Sequence, residues 1–165
     1  YTPIQLSQYI NTIANSGKRL KPYLLKEVYA PSEDESTFGE LVYETKTEQL
    51  GTVDVDKKYM DGVREGFHAV VTSGLGYGYM GNYYDSSGKT GTSQSFIDTD
   101  GDGVVDTETI TSSFVGYSPS ENPEMSVVVV SPDISHSYGY STYQSAVTSR
   151  ISANIVNKYF ELNSN

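Results

Sequence analysis

Two β-preferring runs joined by a short, proline-punctuated link constrain this chain more than any other feature. Ile110–Tyr117 and Met125–Val130 are rich in β-branched and aromatic residues, and Ser118-Pro119-Ser120-Glu121-Asn122-Pro123 between them is a string of turn formers. So short a link suggests an antiparallel hairpin, because parallel neighbours need a much longer crossover. A third extended stretch, Ser87-Gly88-Lys89-Thr90-Gly91-Thr92-Ser93-Gln94, precedes the hairpin. The strands are predicted over 87–94, 110–117 and 124–131.

Helical patterns bracket these strands. Thr2-Pro3-Ile4-Gln5 combines a capping residue, a proline at the first helical position and a capping-box glutamine. Leu6, Tyr9, Ile10 and Ile13 follow at helical spacing, and Gly17 stops the run, so a helix is predicted over 2–16. Met60, Val63, Phe67, Val70 and Val71 form a second apolar stripe, opened by Asp54 or Asp56 and closed by Gly74, predicting a helix over 56–73. Ser141-Thr142-Tyr143-Gln144 is another capping box, ahead of Val147, Ile151, Ile155, Val156, Tyr159 and Phe160, predicting a helix over 142–161. Residues 20–45 read as a peripheral hairpin, with Pro22 at an edge position and a solvated acidic turn at Pro31–Ser36. The fold class is α+β, an antiparallel sheet covered by helices.

Composition excludes several functions. A chain of 165 residues is enough for one domain. Its net charge of −10 argues against nucleic acid and anionic membrane surfaces as partners. No run approaches the roughly 18 apolar residues of a spanning helix. Cysteine is absent, which excludes disulfides and thiolate metal sites. With no initiating Met and no signal peptide, the chain is expected to be a piece of a longer protein.

Within the 87–94 strand, Lys89 and Gly91 share one face, and Thr90 and Thr92 the other. A cation, two hydroxyls and a bare patch of backbone make a seat for a carboxylate and a carbonyl. His68 lies off its helix's apolar stripe and reads as a surface residue rather than a general base. Gly76-Tyr77-Gly78-Tyr79-Met80-Gly81 lacks the Lys-Ser/Thr pair of a phosphate cradle. Asp98, Asp100 and Asp102 stand at positions one, three and five of an EF-hand-like loop. Gly103 is sixth, Val104 offers its carbonyl and Asp106 is ninth. Position twelve is Thr109 rather than Glu, and the flanks read as strands. Calcium is the cofactor this pattern suggests; the competing reading is a solvated acidic turn.

Several stretches together resemble the C-terminal part of the penicillin-binding protein transpeptidase domain, in its class B, Gram-positive form. They are Thr2–Leu6 through Ala14–Gly17 with Lys21-Pro22, then Gly88–Gln94 as the Lys-Thr-Gly strand, then Ser113–Pro119, Asn122-Pro123-Glu124 and the valine run. The resemblance implies a D,D-transpeptidase of peptidoglycan whose substrates are stem peptides and whose inhibitors are β-lactams. The implied enzyme sits on the extracellular face of the membrane, held by an N-terminal helix outside this chain, among other cell-wall synthesis proteins. It implies that Lys89 sits near the substrate carboxylate, that Thr90 and Thr92 hold that carboxylate beside Gly91, and that the Thr92 N–H is an oxyanion donor.

The family's Ser-x-x-Lys and Ser-x-Asn motifs are expected to precede the stretch matching this chain. Ser86-Ser87-Gly88-Lys89, Ser120-Glu121-Asn122 and Ser152-Ala153-Asn154 fit these patterns by letter but not by local structure. The chain alone is therefore expected to be inactive. The absence of family strands beside the Lys89 strand should leave an open edge through which the chain self-associates. A β-lactamase or β-lactam sensor, or a non-catalytic calcium-binding cell-surface module, are the alternatives.

Overall fold

The computed structural model describes residues 1–34, 36–74, 85–134 and 142–164, the side chains of 142–145 excepted. In chain order the elements are α1 (Pro3–Ala14), β1 (Lys18–Leu20), β2 (Glu27–Tyr29), β3 (Leu41–Glu44), β4 (Gln49–Thr52), α2 (Lys57–Thr72), β5 (Ser87–Ile97), β6 (Thr107–Ser118), β7 (Met125–Ser131) and α3 (Thr142–Asn163).

The first helix starts as its sequence demands. The Thr2 N–H donates to Gln5 Oε1 at 2.9 Å and the Gln5 N–H donates to Thr2 Oγ1 at 3.4 Å, so both halves of the capping box form. The helix ends through two left-handed residues, Ser16 at φ 52° and Gly17 at φ 94°, and the Gly17 N–H returns to the Thr12 carbonyl at 2.7 Å. The Ser141–Gln144 box and the Gly76–Gly81 loop fall on or run into positions outside the described residues.

The central sheet has the order β5-β6-β7, antiparallel throughout. Alternation along the strands sends side chains to two helical layers. Phe114, Val127 and Val129 pack with Ala153, Val156 and Phe160 of α3. Val115, Tyr117 and Val128 pack with Leu6, Ile10, Ile13 and Ala14 of α1. The second helix joins both layers: Val71 enters the α3 cluster and Phe67, one turn earlier, the α1 cluster. It also packs against β5. Of the strand read as buried, Val127 is buried and its neighbours are half-buried.

The peripheral region is two nested pairs. β1 pairs with β4, Lys18 opposite Thr52, and β2 pairs with β3, Glu27 opposite Glu44. The outer strand Gln49–Thr52 lies beyond the 20–45 hairpin read from sequence. β5 and β6 stay in register from Ser87↔Tyr117 to Ile97↔Thr107, three residues past Gln94.

Candidate active site

β5 carries the Lys-Thr-Gly residues, and its position follows from the topology. It pairs with β6 on one side and is the last strand of its sheet among the described residues. Alternate N–H and C=O groups of this strand therefore point away from β6. Lys89 lies opposite Val115, Thr90 opposite Phe114, Gly91 opposite Ser113 and Thr92 opposite Ser112. Directly paired residues share a face. Lys89 and Gly91 therefore look toward the α1 layer, and Thr90 and Thr92 toward the α3 layer.

The Lys89 ammonium is exposed and donates to the Thr90 carbonyl at 2.8 Å, so it folds back along its own strand. Thr92 is exposed, while Thr90 and Gly91 are half-buried. The two hydroxyls and the cation are thus offered around one strand edge rather than on one flat face. An extended ligand laid along that edge could meet the backbone and both sets of side chains.

Two glycines here are there for space. A methyl group on Gly88 would run into the Phe114 ring and lie 2.9 Å from the Val115 carbonyl oxygen. A methyl group on Gly91 would run into the Ser113 hydroxyl. The bare patch at Gly91 is thus lined from the neighbouring strand by Ser113. The sequence reading missed that neighbour, since it depends on a register set by residues 22 positions apart.

The lead-in to β5 is tied on several sides. The Ser120 N–H donates to the Asp85 carbonyl at 2.7 Å. Ser86 Oγ donates to Ser118 Oγ at 3.0 Å, and Ser87 Oγ and Ser120 Oγ are 2.5 Å apart. His68 Nε2 meets Asp85 Oδ1 at 2.6 Å. His68 is a partly exposed surface residue, as its place off the apolar stripe implied, and Asp85 is a partner that spacing alone does not reveal.

The three letter matches fall at the start of β5, in the β6–β7 turn and within α3. Ser86 and Ser87 are buried at the start of an extended strand, not at a helix N-terminus. Ser120 and Asn122 lie in the turn between β6 and β7. Ser152 is buried in the middle of α3 while Asn154 is exposed.

The acidic loop lies between β5 and β6, at the far end from Asp85. Asp98 accepts from the Gly101 N–H at 2.7 Å and the Gly103 N–H at 2.8 Å. Asp100 accepts from the Asp102 N–H at 3.2 Å, and Asp102 from the Val104 N–H at 2.7 Å. Gly101 and Gly103 take positive φ of 79° and 87°, which lets the chain wrap around Asp98. The backbone N–H of Gly103, then that of Gly101, holds the Asp98 carboxyl below the usual carboxylate value. One carboxylate oxygen from each of Asp98, Asp100 and Asp102 lies within 4.8 Å of the others. That group does not include Asp106, which accepts instead from Thr107 Oγ1 at 3.0 Å; the Val104 side chain is exposed.

Comparison with known proteins matches this architecture to one family. The family model described as the penicillin-binding protein transpeptidase domain matches residues 1–157. Penicillin-binding protein 2A of Bacillus subtilis is 38% identical over 167 residues, covering 99% of this chain and 22% of the relative. A peptidoglycan D,D-transpeptidase (MrdA) of Acinetobacter baumannii is 28% identical over 138 residues, covering 78% of this chain and 19% of the relative. The solved penicillin-binding protein 2B of Streptococcus pneumoniae superposes with a TM-score of 0.74 at 28% identity, covering 98% of this chain and 25% of that structure. The chain thus spans a quarter or less of the length of these relatives. Over that span, with Lys89-Thr90-Gly91-Thr92 on the edge strand of a helix-covered antiparallel sheet, it belongs to the penicillin-binding protein transpeptidase domain family.

Proposed function

We propose that this chain is part of a serine-type D,D-transpeptidase that cross-links peptidoglycan stem peptides and is acylated by β-lactams. The supporting observation is the family match across residues 1–157 together with Lys89–Thr92 on a strand whose outer edge is unpaired among the described residues. In this reading a stem peptide or β-lactam lies along the β5 edge. Thr90 and Thr92 hydroxyls hold its carboxylate, and the Thr92 N–H faces the oxygen that becomes negative as a serine attacks. Such a donor acts by being fixed where charge develops, and removing one costs about 3 kcal/mol of barrier. In the reaction a serine oxygen bonds to the substrate carbonyl carbon and the scissile C–N bond breaks. The leaving nitrogen departs with the proton, and the amine of a second stem peptide then displaces the serine. Lys89 supports charge and proton traffic beside the Ser-x-Asn serine and the substrate carboxylate.

In this reading the nucleophile and its activating base come from the Ser-x-x-Lys motif of the longer protein, so the chain by itself is proposed to be inactive. Intact-mass measurement with a fluorescent penicillin tests this. No adduct is expected on the 165-residue chain, and a stoichiometric adduct on a longer protein carrying the two missing motifs. Lys89→Ala in that longer protein should slow acylation by about 100-fold or more, the usual scale of a lost proton-transfer group. Stoichiometric acylation of the isolated chain would overturn the reading and point to Ser86 or another local serine. Fast hydrolysis of the adduct would favour the β-lactamase alternative.

The whole protein is proposed to work at the outer face of the cell membrane, among cell-wall synthesis proteins, with its anchor outside this chain. No helix among the described residues is long and apolar enough to cross a membrane. The open edge of β5 is proposed to pair with a second copy when the chain is isolated. Sedimentation should then show a concentration-dependent dimer, and a monomer at every concentration would count against it. A separate calcium role is proposed for the loop of Asp98, Asp100 and Asp102, on the closeness of their carboxylates.

A further inference from the structure

Beside the candidate site, Arg64 joins distant segments, its described hydrogen-bond partners lying 48, 56 and 57 positions away. From α2 its Nη1 donates to Ser16 Oγ at 3.0 Å, just past the end of α1. Its Nη2 donates to the Ser120 carbonyl at 2.7 Å and to the Glu121 carbonyl at 3.0 Å, both in the β6–β7 turn. Its guanidinium carbon lies 5.8 Å from the centre of the Tyr117 ring, and Tyr117 is the register partner of Ser87 at the start of β5. One planar fork therefore joins three elements. One turn further along α2, His68 holds Asp85 at 2.6 Å. The two ties converge, since Ser120, held by Arg64, donates its N–H to the carbonyl of Asp85, held by His68. Ser87, two residues before Lys89, closes the circuit through its hydroxyl contact with Ser120 at 2.5 Å. Arg64, His68, Asp85, Ser120 and Glu121 line an open concavity of about 530 Å³.

We propose that Arg64 and His68 are positioning residues for the Lys89 strand. β5 is an edge strand, so β6 fixes its register while leaving one side without a neighbouring strand among the described residues. The tilt of its leading end is set by α2, through Arg64 to the turn and through His68 to Asp85. The candidate reactive groups begin at Lys89, four residues after Asp85, and a displacement of about 1 Å at a reacting group can cost on the order of 100-fold in rate. Neither side chain touches substrate in this arrangement. Each acts through Ser120, Asp85 and the strand they hold. The inference rests on the transpeptidase reading above.

The test is acylation kinetics of the longer protein with a fluorescent penicillin, resolved into the initial complex and the bond-forming step. Arg64→Ala should slow bond formation on the order of 10- to 100-fold while the final stoichiometry of adduct stays at that of the unaltered protein. A merely destabilising substitution would do the reverse, lowering the amplitude through an unfolded fraction and leaving the rate of the folded molecules unchanged. Arg64→Lys should recover part of the rate, because a single ammonium cannot bond both carbonyls and the Ser16 hydroxyl as the fork does. His68→Ala, at a partly exposed position, should slow bond formation by a smaller factor, and it decides the question if Arg64→Ala fails to fold. Wild-type rates in the folded variants, or loss of amplitude alone, would overturn the proposal. Absence of any adduct on the unaltered longer protein would instead overturn the transpeptidase reading on which it rests.

Discussion

The central sheet and the peripheral arm of residues 18–52 are both made of antiparallel strands, yet one is buried and the other is not. In the sheet Phe114 and Tyr117 are 0% exposed, because a helix covers each face. In the arm every residue of β3 is exposed, and Leu24, Phe38 and Val42 are 98%, 82% and 66% exposed. Its strands are three or four residues long and paired two by two, an arrangement of marginal stability in water without a covering layer. Local ties hold the arm together. Tyr29 Oη donates to Glu27 Oε2 at 2.5 Å, and the Tyr29 and Phe38 rings stack at 4.9 Å. Thr45 Oγ1 donates to the Leu25 carbonyl at 2.5 Å, and Lys21 meets Glu48 at 2.7 Å. The contrast separates two things that strand pairing is often credited with together. Pairing sets shape in both regions; covering layers supply most of the stability in one.

The largest expected effect breaks the contrast at its core. Phe114→Ala should destabilise by about 3–5 kcal/mol, since it empties a fully buried site between β6 and α3. Phe38→Ala, which loses one exposed stacking contact, should cost at most about 1 kcal/mol. Urea unfolding followed by tyrosine fluorescence reads both, and similar losses would mean that the arm buries far more than its exposure indicates.

A smaller effect comes from adding an atom. Gly88→Ala should cost about 1–3 kcal/mol, because its methyl meets the buried Phe114 ring and a backbone carbonyl, neither of which can move freely. Gly51→Ala in β4 has nothing within 4 Å of the new methyl and should be neutral or stabilising by about 0.4–1 kcal/mol. The same unfolding measurement separates them, and equal costs would remove the distinction between a packed strand and an open one.

The smallest effects concern exposed carboxylates in the two regions. Asp98 near the sheet and Asp34 in the arm are both held below their ordinary value of 3.8, Asp98 chiefly by the Gly103 N–H and Asp34 chiefly by the Ser36 hydroxyl. A depressed carboxylate contributes stability that is present above pH 3.8 and is lost as pH falls through the lower folded value. Acid should therefore destabilise, weakly, because both groups are exposed. Asp98→Asn should flatten that decline below about pH 4, close to the unfolded carboxylate value. Calcium sharpens the same comparison. Millimolar calcium, about the range of weak extracellular sites, should raise the melting temperature and Asp98→Asn should abolish the rise. No shift would end the calcium proposal and leave a solvated loop stabilised by its own N–H groups.

Much of the candidate site was legible because its pattern is local. The alternation of Lys89, Thr90, Gly91 and Thr92 between two faces follows from the pleat, whatever the strand pairs with. The place of Ser113 beside Gly91 does not, because it depends on register across a loop. His68 was readable as a surface residue from its position on the helix, while its hold on Asp85 was not, since the partner comes from 17 residues away. β4 went unread because Gln49–Thr52 is nearly all exposed and shows no apolar alternation.

By itself the sequence determined the elements whose causes lie within a turn or two of chain. These include the Thr2–Gln5 capping box, the Gly17 stop, the stripe from Met60 to Val71 and the valine run. It also determined the faces of the Lys-Thr-Gly strand, because side-chain direction in a strand needs no partner. Tertiary structure alone decided that Phe67 and Val71, neighbours on one stripe, serve opposite layers of the sheet. It alone decided that Arg64 reaches carbonyls 56 and 57 positions away. Short-range signals are written in propensity and period, which a chain expresses as soon as it forms a helix or a strand. Register, edges and long-range clamps exist only once distant segments have closed their loops and buried one another's faces.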